Sequence, residues 1–405
     1  MELHDAIGID PDSRGCVACL VKRNGQKPIA KSFSLTARGR EALAAFIARD
    51  PGVLVGIEGR RGQSSPLEAF FEQSGIAYYS LPAVNVGNYR TAMVGAQKNN
   101  QNDARAVAEF LLDLEAKGQL KSFVQPEKVD EELRILARER LRMGEDLTVL
   151  TNRLWKALKE SANDLYLALS GGDEDVEKTN LHTMRFLRLC TACPDVSKWS
   201  ALSEDDIKQF SGNKGTRGWE NFLRTVQTPI AAPVGFGHQL VLKQTAESLL
   251  QMLAQKAELE KMLETIVAER PLVAALRDNY KGMGNFSAAL IAEEIISISR
   301  FKNDDHLASY AGLTKRDYST GSNTNQRQAA SCNKRLKDAF ITFARTYLLF
   351  NKGSHLDKYH EHLVKTGMSR MEALKRIARV LSRDVYRFMK QQQCVAEQKK
   401  EKSVA

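Results

Sequence analysis

Four side chains in the first quarter of the chain have the types and spacing for metal-assisted chemistry on phosphate. Asp10 closes the apolar run Ile7-Gly8-Ile9, Glu58 closes Val55-Gly56-Ile57, and Asn100 and Asp103 stand three apart where an amphipathic segment opens. Hard divalent cations take oxygen ligands, and two-metal phosphoryl transfer needs several of them converging from different elements. Three carboxylates and an amide meet that need if the two runs are neighbouring strands and the helix has begun by Asn100, because residues three apart then share a face. Singly, each has an ordinary use: Asp10 and Asp12 in a turn, Glu58 as a loop acid, Asp103 as a helix cap. Their joint placement predicts a site for Mg2+ or Mn2+.

A second candidate lies far downstream. Ser319-Thr320-Gly321 follows Lys315, Arg316 and Asp317, with Arg327, Lys334 and Arg335 close behind. A hydroxyl nucleophile needs sharp presentation and nearby cations that stabilise charge on the attacked phosphate, and Ser319 reads as such a residue in a loop. These bases, with Lys98, are the expected contacts to nucleic acid. Gly282-Met283-Gly284, before a helix over Phe286 to Ile298, resembles the turn of a helix-hairpin-helix element whose N–H groups seat a phosphate. A plain helix-helix turn capped by glycines has the same pattern. The net charge is +10 with a pI near 9.2, and between Lys315 and Lys390 the excess of Lys and Arg over Asp and Glu accounts for all of it. Within that stretch Lys375, Arg376, Arg379, Arg383 and Arg387 predict a helix with a basic face opposite Leu374, Ile377, Val380, Leu381 and Val385. Such a charge distribution points to a polyanion partner.

The elements that must position these groups follow from periodicity. Residues 5–10, 15–22 and 28–34 read as three strands joined by turns, the second marked by Asn24-Gly25. A helix over Glu41 to Ala48, a buried strand over Val53 to Ile57, a helix over Pro66 to Gln73 and a strand over Ile76 to Leu81 follow. A helix over Asn102 to Leu114 closes the set. Three antiparallel strands followed by β/α alternation predict a ribonuclease H-like domain over residues 1–120.

Two leucine-rich stripes come next. Leu136, Met143, Leu147, Leu150, Leu154 and Leu158, then Leu242, Leu249, Met252, Leu259, Met262 and Ile266, predict two long helices pairing as an antiparallel coiled coil over residues 121–270. The glycine-rich stretch 170–238 between them reads as an irregular, partly helical insertion. Residues 271–390 are expected to be a mainly helical domain and 391–405 a polar tail without structure. The class is thus α/β plus α. No apolar stretch approaches the ~20 residues of a membrane span, and Met1-Glu2-Leu3-His4-Asp5 lacks the features of a signal peptide, so a cytoplasmic, nucleoid-associated protein is expected. Of the two Cys-x-x-Cys pairs, Cys16/Cys19 falls on a strand, where residues three apart face opposite ways, and Cys190/Cys193 has no second ligand pair nearby. Neither predicts zinc.

Taken as a set, Asp10, Glu58, the run Lys98 to Ala104, Gly282-Met283-Gly284, Arg300-Phe301, Tyr310-Ala311-Gly312-Leu313, Ser319-Thr320-Gly321 and Asn333-Lys334-Arg335-Leu336-Lys337 resemble the DEDD transposases of insertion sequences, the family of the bridge-RNA-guided recombinases and Piv-type DNA invertases. The resemblance spans residues 5–115 and about 272–390. It implies a RuvC-like N-terminal domain, a coiled-coil spacer that supports a homo-oligomer (dimer or tetramer), and a C-terminal domain with a catalytic serine that forms a phosphoserine link to DNA. It also implies a structured non-coding RNA that chooses the DNA sequences. Asp10, Glu58 and Asp103 match the acidic ligands and Ser319 the nucleophile, with Thr320 beside it.

Two positions depart from the family pattern. Asn100 stands where the run Lys-Thr-Asp-x-x-Asp-Ala has an acid, and Gln328-Ala329-Ala330-Ser331-Cys332-Asn333 stands for Ile-Ser-Lys-x-Gly-Asn. The expected activity is DNA cleavage and joining by a transposase or site-specific recombinase. The alternatives are a RuvC-like metal-dependent junction nuclease and a non-catalytic nucleic-acid-binding descendant.

Overall fold

The computed structural model describes residues 4–59, 64–94, 99–120, 130–170, 184–211, 219–230, 234–320, 323–328 and 332–404. The chain divides into two compact units, residues 1–128 and 129–405. The first is built on five strands: β1 (Ala6–Pro11), β2 (Gly15–Val21), β3 (Ile29–Ser34), β4 (Leu54–Glu58) and β5 (Tyr79–Leu81). Their order across the sheet is β3-β2-β1-β4-β5, with β1, β2 and β3 antiparallel and β4 and β5 running parallel to β1. This is the ribonuclease H-like arrangement that the strand and helix pattern predicts.

Alternation sorts the side chains onto two faces. Ile7, Ile9, Cys16, Ala18, Val55 and Ile57 pack under α1 (Ala37–Ile47) and α2 (Ser65–Ser74) through Leu43, Phe46, Leu67 and Phe71. Ala6, Val17, Cys19 and Val21 point the other way, toward α3 (Ala83–Tyr89) and α4 (Asn100–Ala116). The two cysteines of the first pair therefore lie on opposite faces. Burial, reinforced by the Asp10 charge, pushes the Cys16 thiol up to about 12, and burial pushes Cys19 up to about 11.

Helix α4 lies directly on the sheet because glycines face it. A Cβ on Gly8 would stand 2.1 Å from the Ala104 carbonyl oxygen and 2.4 Å from the Ala108 nitrogen, and one on Gly56 would stand 2.5 Å from Leu111 Cδ1. Its start is set by Asn99, whose side chain accepts the N–H of Asn102.

In the second unit α5 (Glu131–Ser161) starts at an Asp130 cap that accepts the Leu133 N–H. It is followed by α6 (Asn163–Ser170), α7 (Met184–Ala192), α8 (Glu204–Ser211), α9 (Trp219–Val226) and α10 (Phe236–Ala268). Helices α5 and α10 run antiparallel, as their sequence stripes predict: Leu133 and Ala137 share a core with Leu263 and Val267, and Leu154 and Leu158 share another with Leu242 and Ala246. Arg140 and Glu260 bridge between them at 2.8 Å.

Between the two helices, the described residues 184–211 and 219–230 are largely helical. Phe186, Trp199 and Phe222 are buried against α5 and α10, and the Trp199 indole donates to the Cys193 carbonyl at 2.7 Å.

The remaining elements are α11 (Pro271–Asn279), α12 (Asn285–Ile295), α13 (Asp304–Tyr310), the hairpin β6 (Lys315–Thr320) and β7 (Asn323–Gln328), α14 (Lys334–Phe350), α15 (His355–Lys365) and α16 (Arg370–Val404). Two expectations need correcting. The segment with Ser319 is a strand and not a loop, and the backbone of the polar tail continues α16, consistent with the good helix formers Gln, Glu, Lys and Ala in it.

Replacing Gly8 by Ala should lower the stability of the first unit by about 1–3 kcal/mol, because α4 must lift or the sheet must yield. Denaturant unfolding followed by a probe in that unit measures it. Gly87→Ala, with no atom within 4 Å of the added Cβ, is the control that should show no loss.

Candidate active site

Two groups of residues carry chemistry, one in each unit. In the first unit β1 and β4 pair in parallel with Ile9 opposite Ile57, so Asp10 and Glu58 are the next residues on adjacent strands. Each is two residues beyond a glycine that α4 covers, which puts both carboxylates on the α4 face at the carboxyl ends of the strands. Asp103 sits in the first turn of α4, beside Ala104, and is buried to 6% exposure. Helix α4 begins at Asn100, so Asn100 and Asp103 are three apart on formed helix; Asn100 is exposed. Lys98 lies outside the described residues.

Asp103 already has a cation. The Arg90 guanidinium, from the π-helical turn Arg90–Val94 that follows α3, ion-pairs with its carboxylate, and the Arg90 Nε is buried without a hydrogen-bond partner. The donor set of this face is all oxygen, which suits a hard divalent cation. Among the described residues no three acidic, histidine or cysteine side chains stand together as a ready cation site. A cation held there in the arrangement the sequence predicts therefore requires Arg90 to let go of Asp103. No spacing rule flags Arg90, which is thirteen residues from its partner and on another element.

In the second unit Ser319 is the fifth residue of β6, opposite Thr324 of β7, and Lys315 and Arg316 pair with Gln328 and Arg327. The hairpin is closed below by main-chain contacts. The Asn333 N–H donates to the Tyr310 carbonyl at 2.8 Å and the Leu313 N–H to Ala308 at 2.9 Å. Lys334 opens α14, whose cap is Asn333. The Arg335 guanidinium reaches Glu294 at 2.6 Å. Gly282, at φ 97°, faces the α14 backbone, where a Cβ would stand 2.9 Å from the Thr346 oxygen, so packing accounts for this glycine. Gly284 caps α12 with open space around it.

The basic face of α16 is partly neutralised: Arg379 and Arg383 pair with Asp305, and Arg387 with Asp304 at 3.1 Å. That pairing depends on α13 packing against α16, which no local pattern announces.

The chain also buries a pair of acids in α12. Glu293 and Glu294 are 4% and 5% exposed; Arg138 of α5 ion-pairs with Glu293 and reaches Glu294 at 3.0 Å. Two acids inside the apolar run Ala288 to Ile298 are the signal that could have marked them.

Two comparisons bear on what these groups do. Residues 7–162 match the family model of DEDD transposases of the IS110 type, and residues 276–361 match a second model described as transposase, IS116/IS110/IS902 family. The chain belongs to the DEDD insertion-sequence transposases. As a transposase it cuts and joins DNA, and DNA is its partner. Among solved structures it resembles T. thermophilus RuvC in complex with a Holliday junction substrate, at 10% identity over 29% of this chain and 97% of that one, with a TM-score of 0.24. No curated protein matches the sequence. Among its described residues no helix of the transposase is long and apolar enough to cross a membrane.

Burial, then the charge of Glu294, pushes Glu293 up to about 7, while Arg138 and Arg134 pull the other way. A carboxyl whose folded value lies above its unfolded value favours folding while protonated, and that contribution is lost as pH rises through the folded value. Between about pH 4.5 and about pH 7 the transposase should lose stability through this group, and Glu293→Gln should flatten the loss in denaturation midpoints measured across that range.

Proposed function

We propose that this transposase moves or inverts a mobile DNA element by a covalent route in which Ser319 is the nucleophile. The Ser319 Oγ forms a bond to phosphorus and loses its proton. The bond from phosphorus to the leaving sugar oxygen breaks, and that oxygen takes up a proton. Joining is the reverse, with a hydroxyl of another strand attacking the phosphoserine. The bond energy stays in the link, so no nucleotide hydrolysis is needed, and the sequence holds no Gly-x-x-x-x-Gly-Lys-Ser/Thr run.

The observation that carries this reading is the backbone at Ser319, which lies one residue from the end of β6 in a hairpin between α13 and α14. Lys315, Arg316, Arg327 and Lys334 supply positive charge along the same segment for the attacked phosphate and its neighbours.

Asp10, Glu58, Asn100 and Asp103 are the residues that would hold Mg2+ or Mn2+, which when bound polarises phosphate oxygens and stabilises the charge that develops. Asp10 and Glu58 supply charge from the rigid sheet, Asp103 adds a third carboxylate once Arg90 withdraws, and the Asn100 amide is a neutral oxygen ligand. The antiparallel α5 and α10 pair serves in this reading as the coiled-coil spacer of a dimer or tetramer working on bacterial DNA. A structured non-coding RNA selects the sites. Recovery of a discrete RNA with the purified transposase, and the mass of the assembly, test those two assignments.

The direct test is a suicide DNA substrate incubated with the purified protein and run under denaturing conditions. A protein-DNA adduct that is lost in Ser319→Ala and kept in Thr320→Ala is expected. Cleavage that leaves free phosphate ends and no adduct would replace the serine with activated water, as in a junction nuclease. Binding without cleavage, with cleavage created by Asn100→Asp, would leave a nucleic-acid-binding descendant whose site decayed at Asn100.

Arg90→Gln should tighten Mn2+ binding by roughly tenfold, since an ion pair worth about 1.4 kcal/mol to the metal-free state is removed. Spin resonance of free Mn2+ reads this without any DNA. Unchanged affinity would show that Arg90 does not compete for Asp103.

A further inference from the structure

Three motifs in the C-terminal unit converge on one buried acid. Arg300-Phe301, Tyr310 to Leu313 and Asn333 to Lys337 are separated in sequence, yet each reaches the carboxyl end of α12. The Asn333 Nδ2 donates to Glu294 Oε2 at 2.7 Å and to the Tyr310 hydroxyl at 3.2 Å. Arg335 donates to Glu294 Oε1 at 2.6 Å, and Arg138 comes within 3.0 Å of the same oxygen. Arg300 turns back to the Ile295 carbonyl at 2.7 Å and lies 5.5 Å from the ring centres of both Phe301 and Tyr310.

The helix end on which these groups meet is strained. Ile296 has φ 65° and ψ −65°, and the Ser297 N–H bonds the Ile295 carbonyl at 2.8 Å, a γ-turn with positive φ. A β-branched residue holds that conformation only where its surroundings impose it.

Asn333 is also the cap of α14: its Oδ1 accepts the Leu336 N–H at 3.1 Å. With the amide oxygen spent on the helix and the nitrogen on Glu294 and Tyr310, the side chain has one orientation. Its own N–H bonds the Tyr310 carbonyl, and just before it Cys332 closes on Gly312, where a Cβ would meet the sulfur at 2.6 Å. Tyr310 to Leu313 and Cys332 to Asn333 are the two stems from which the Ser319 hairpin rises. Glu294 therefore grips the hairpin at its root, from inside the core.

We propose that Glu294 is a positioning residue for strand cleavage: through Asn333 and Arg335 it fixes the root of the β6–β7 hairpin and with it the attack position of the serine. This rests on the reading of Ser319 as nucleophile. Glu294→Gln keeps the size of the side chain but turns an amide toward two donors. Asn333→Ser keeps a good helix cap while removing the donor to Glu294. Both variants should form the protein-DNA adduct about 100-fold more slowly at saturating DNA, the scale of a misplaced reacting group. DNA affinity should stay unchanged, and amide hydrogen exchange should rise in residues 315–320 and 323–328 and not elsewhere. Pairing Glu294→Gln with Asn333→Asp reverses the polarity of the bond and should recover most of the rate, which a loss of bulk stability would not allow.

Wild-type adduct rates in both single variants, or unchanged exchange in the hairpin, would overturn the proposal. If Glu294→Gln does not fold, Asn333→Ser alone decides. Ser319→Ala run alongside separates the two claims. An adduct that persists there removes the serine mechanism while the exchange measurement still tests the grip. An adduct lost in Ser319→Ala and formed normally in both Glu294→Gln and Asn333→Ser removes the grip alone.

Discussion

The close approach of α4 to the sheet is the constraint on which the N-terminal chemistry depends. Side chains normally hold a helix off a sheet, but Gly8 and Gly56 leave none to fill the gap. The backbone of α4 at Ala104 and Ala108 then lies against β1, and the first turn of the helix, with Asp103, comes down beside the strand ends that carry Asp10 and Glu58. The glycines bring the first turn of α4 down onto the sheet without any loop being involved, and rigid elements hold functional groups better than loops do.

Convergence of like charges has an electrostatic cost, and the chain meets it with arginine throughout. Asp103 has Arg90; Glu293 and Glu294 have Arg138, with Arg335 on the latter. Glu115, at the other end of α4, receives His4 at 2.6 Å and Arg23 at 2.8 Å. Its burial raises the carboxyl and these hydrogen bonds outweigh it, for a net lowering. The same habit extends to the surface, where Asp304 and Asp305 take up Arg379, Arg383 and Arg387. The +10 excess is therefore a poor measure of the charge open to DNA, because a share of the arginines is committed to folding.

The parts of the structure that follow a period were legible in the sequence. Alternation in Ala6–Pro11 and Gly15–Val21, the Asn24-Gly25 turn and the two leucine stripes each name their element, and the order of the sheet follows from them. The placement of Asp10 and Glu58 two residues past a glycine was readable for the same reason. The hairpin with Ser319 was not, because Lys315–Thr320 and Asn323–Gln328 are almost wholly polar and no apolar face betrays a strand; only the dipeptide Gly321-Ser322 between them has the composition of a hairpin connection. Packing of residues 184–211 and 219–226 was hidden too, since it rests on Phe186, Trp199 and Phe222 meeting α5 and α10 across the chain. Partners such as Arg90 for Asp103 or Asp305 for Arg383 belong to tertiary contact alone.

Strain and burial at the end of α12 explain each other. A buried carboxylate is stable only if every lone pair finds a donor, and Glu294 needs donors from α5, α14 and the cap of α14 at once. Those elements can reach it only if the chain after α12 turns away sharply, which the γ-turn at Ile296 does within a single residue before Arg300 returns to the Ile295 carbonyl. The unfavourable φ of Ile296 is thus what opens the helix end to its partners, and the charge-assisted bonds it admits offset the strain. A core of aliphatic side chains could stabilise the same fold, but it could not fix the direction of Asn333 and so could not fix the root of the hairpin.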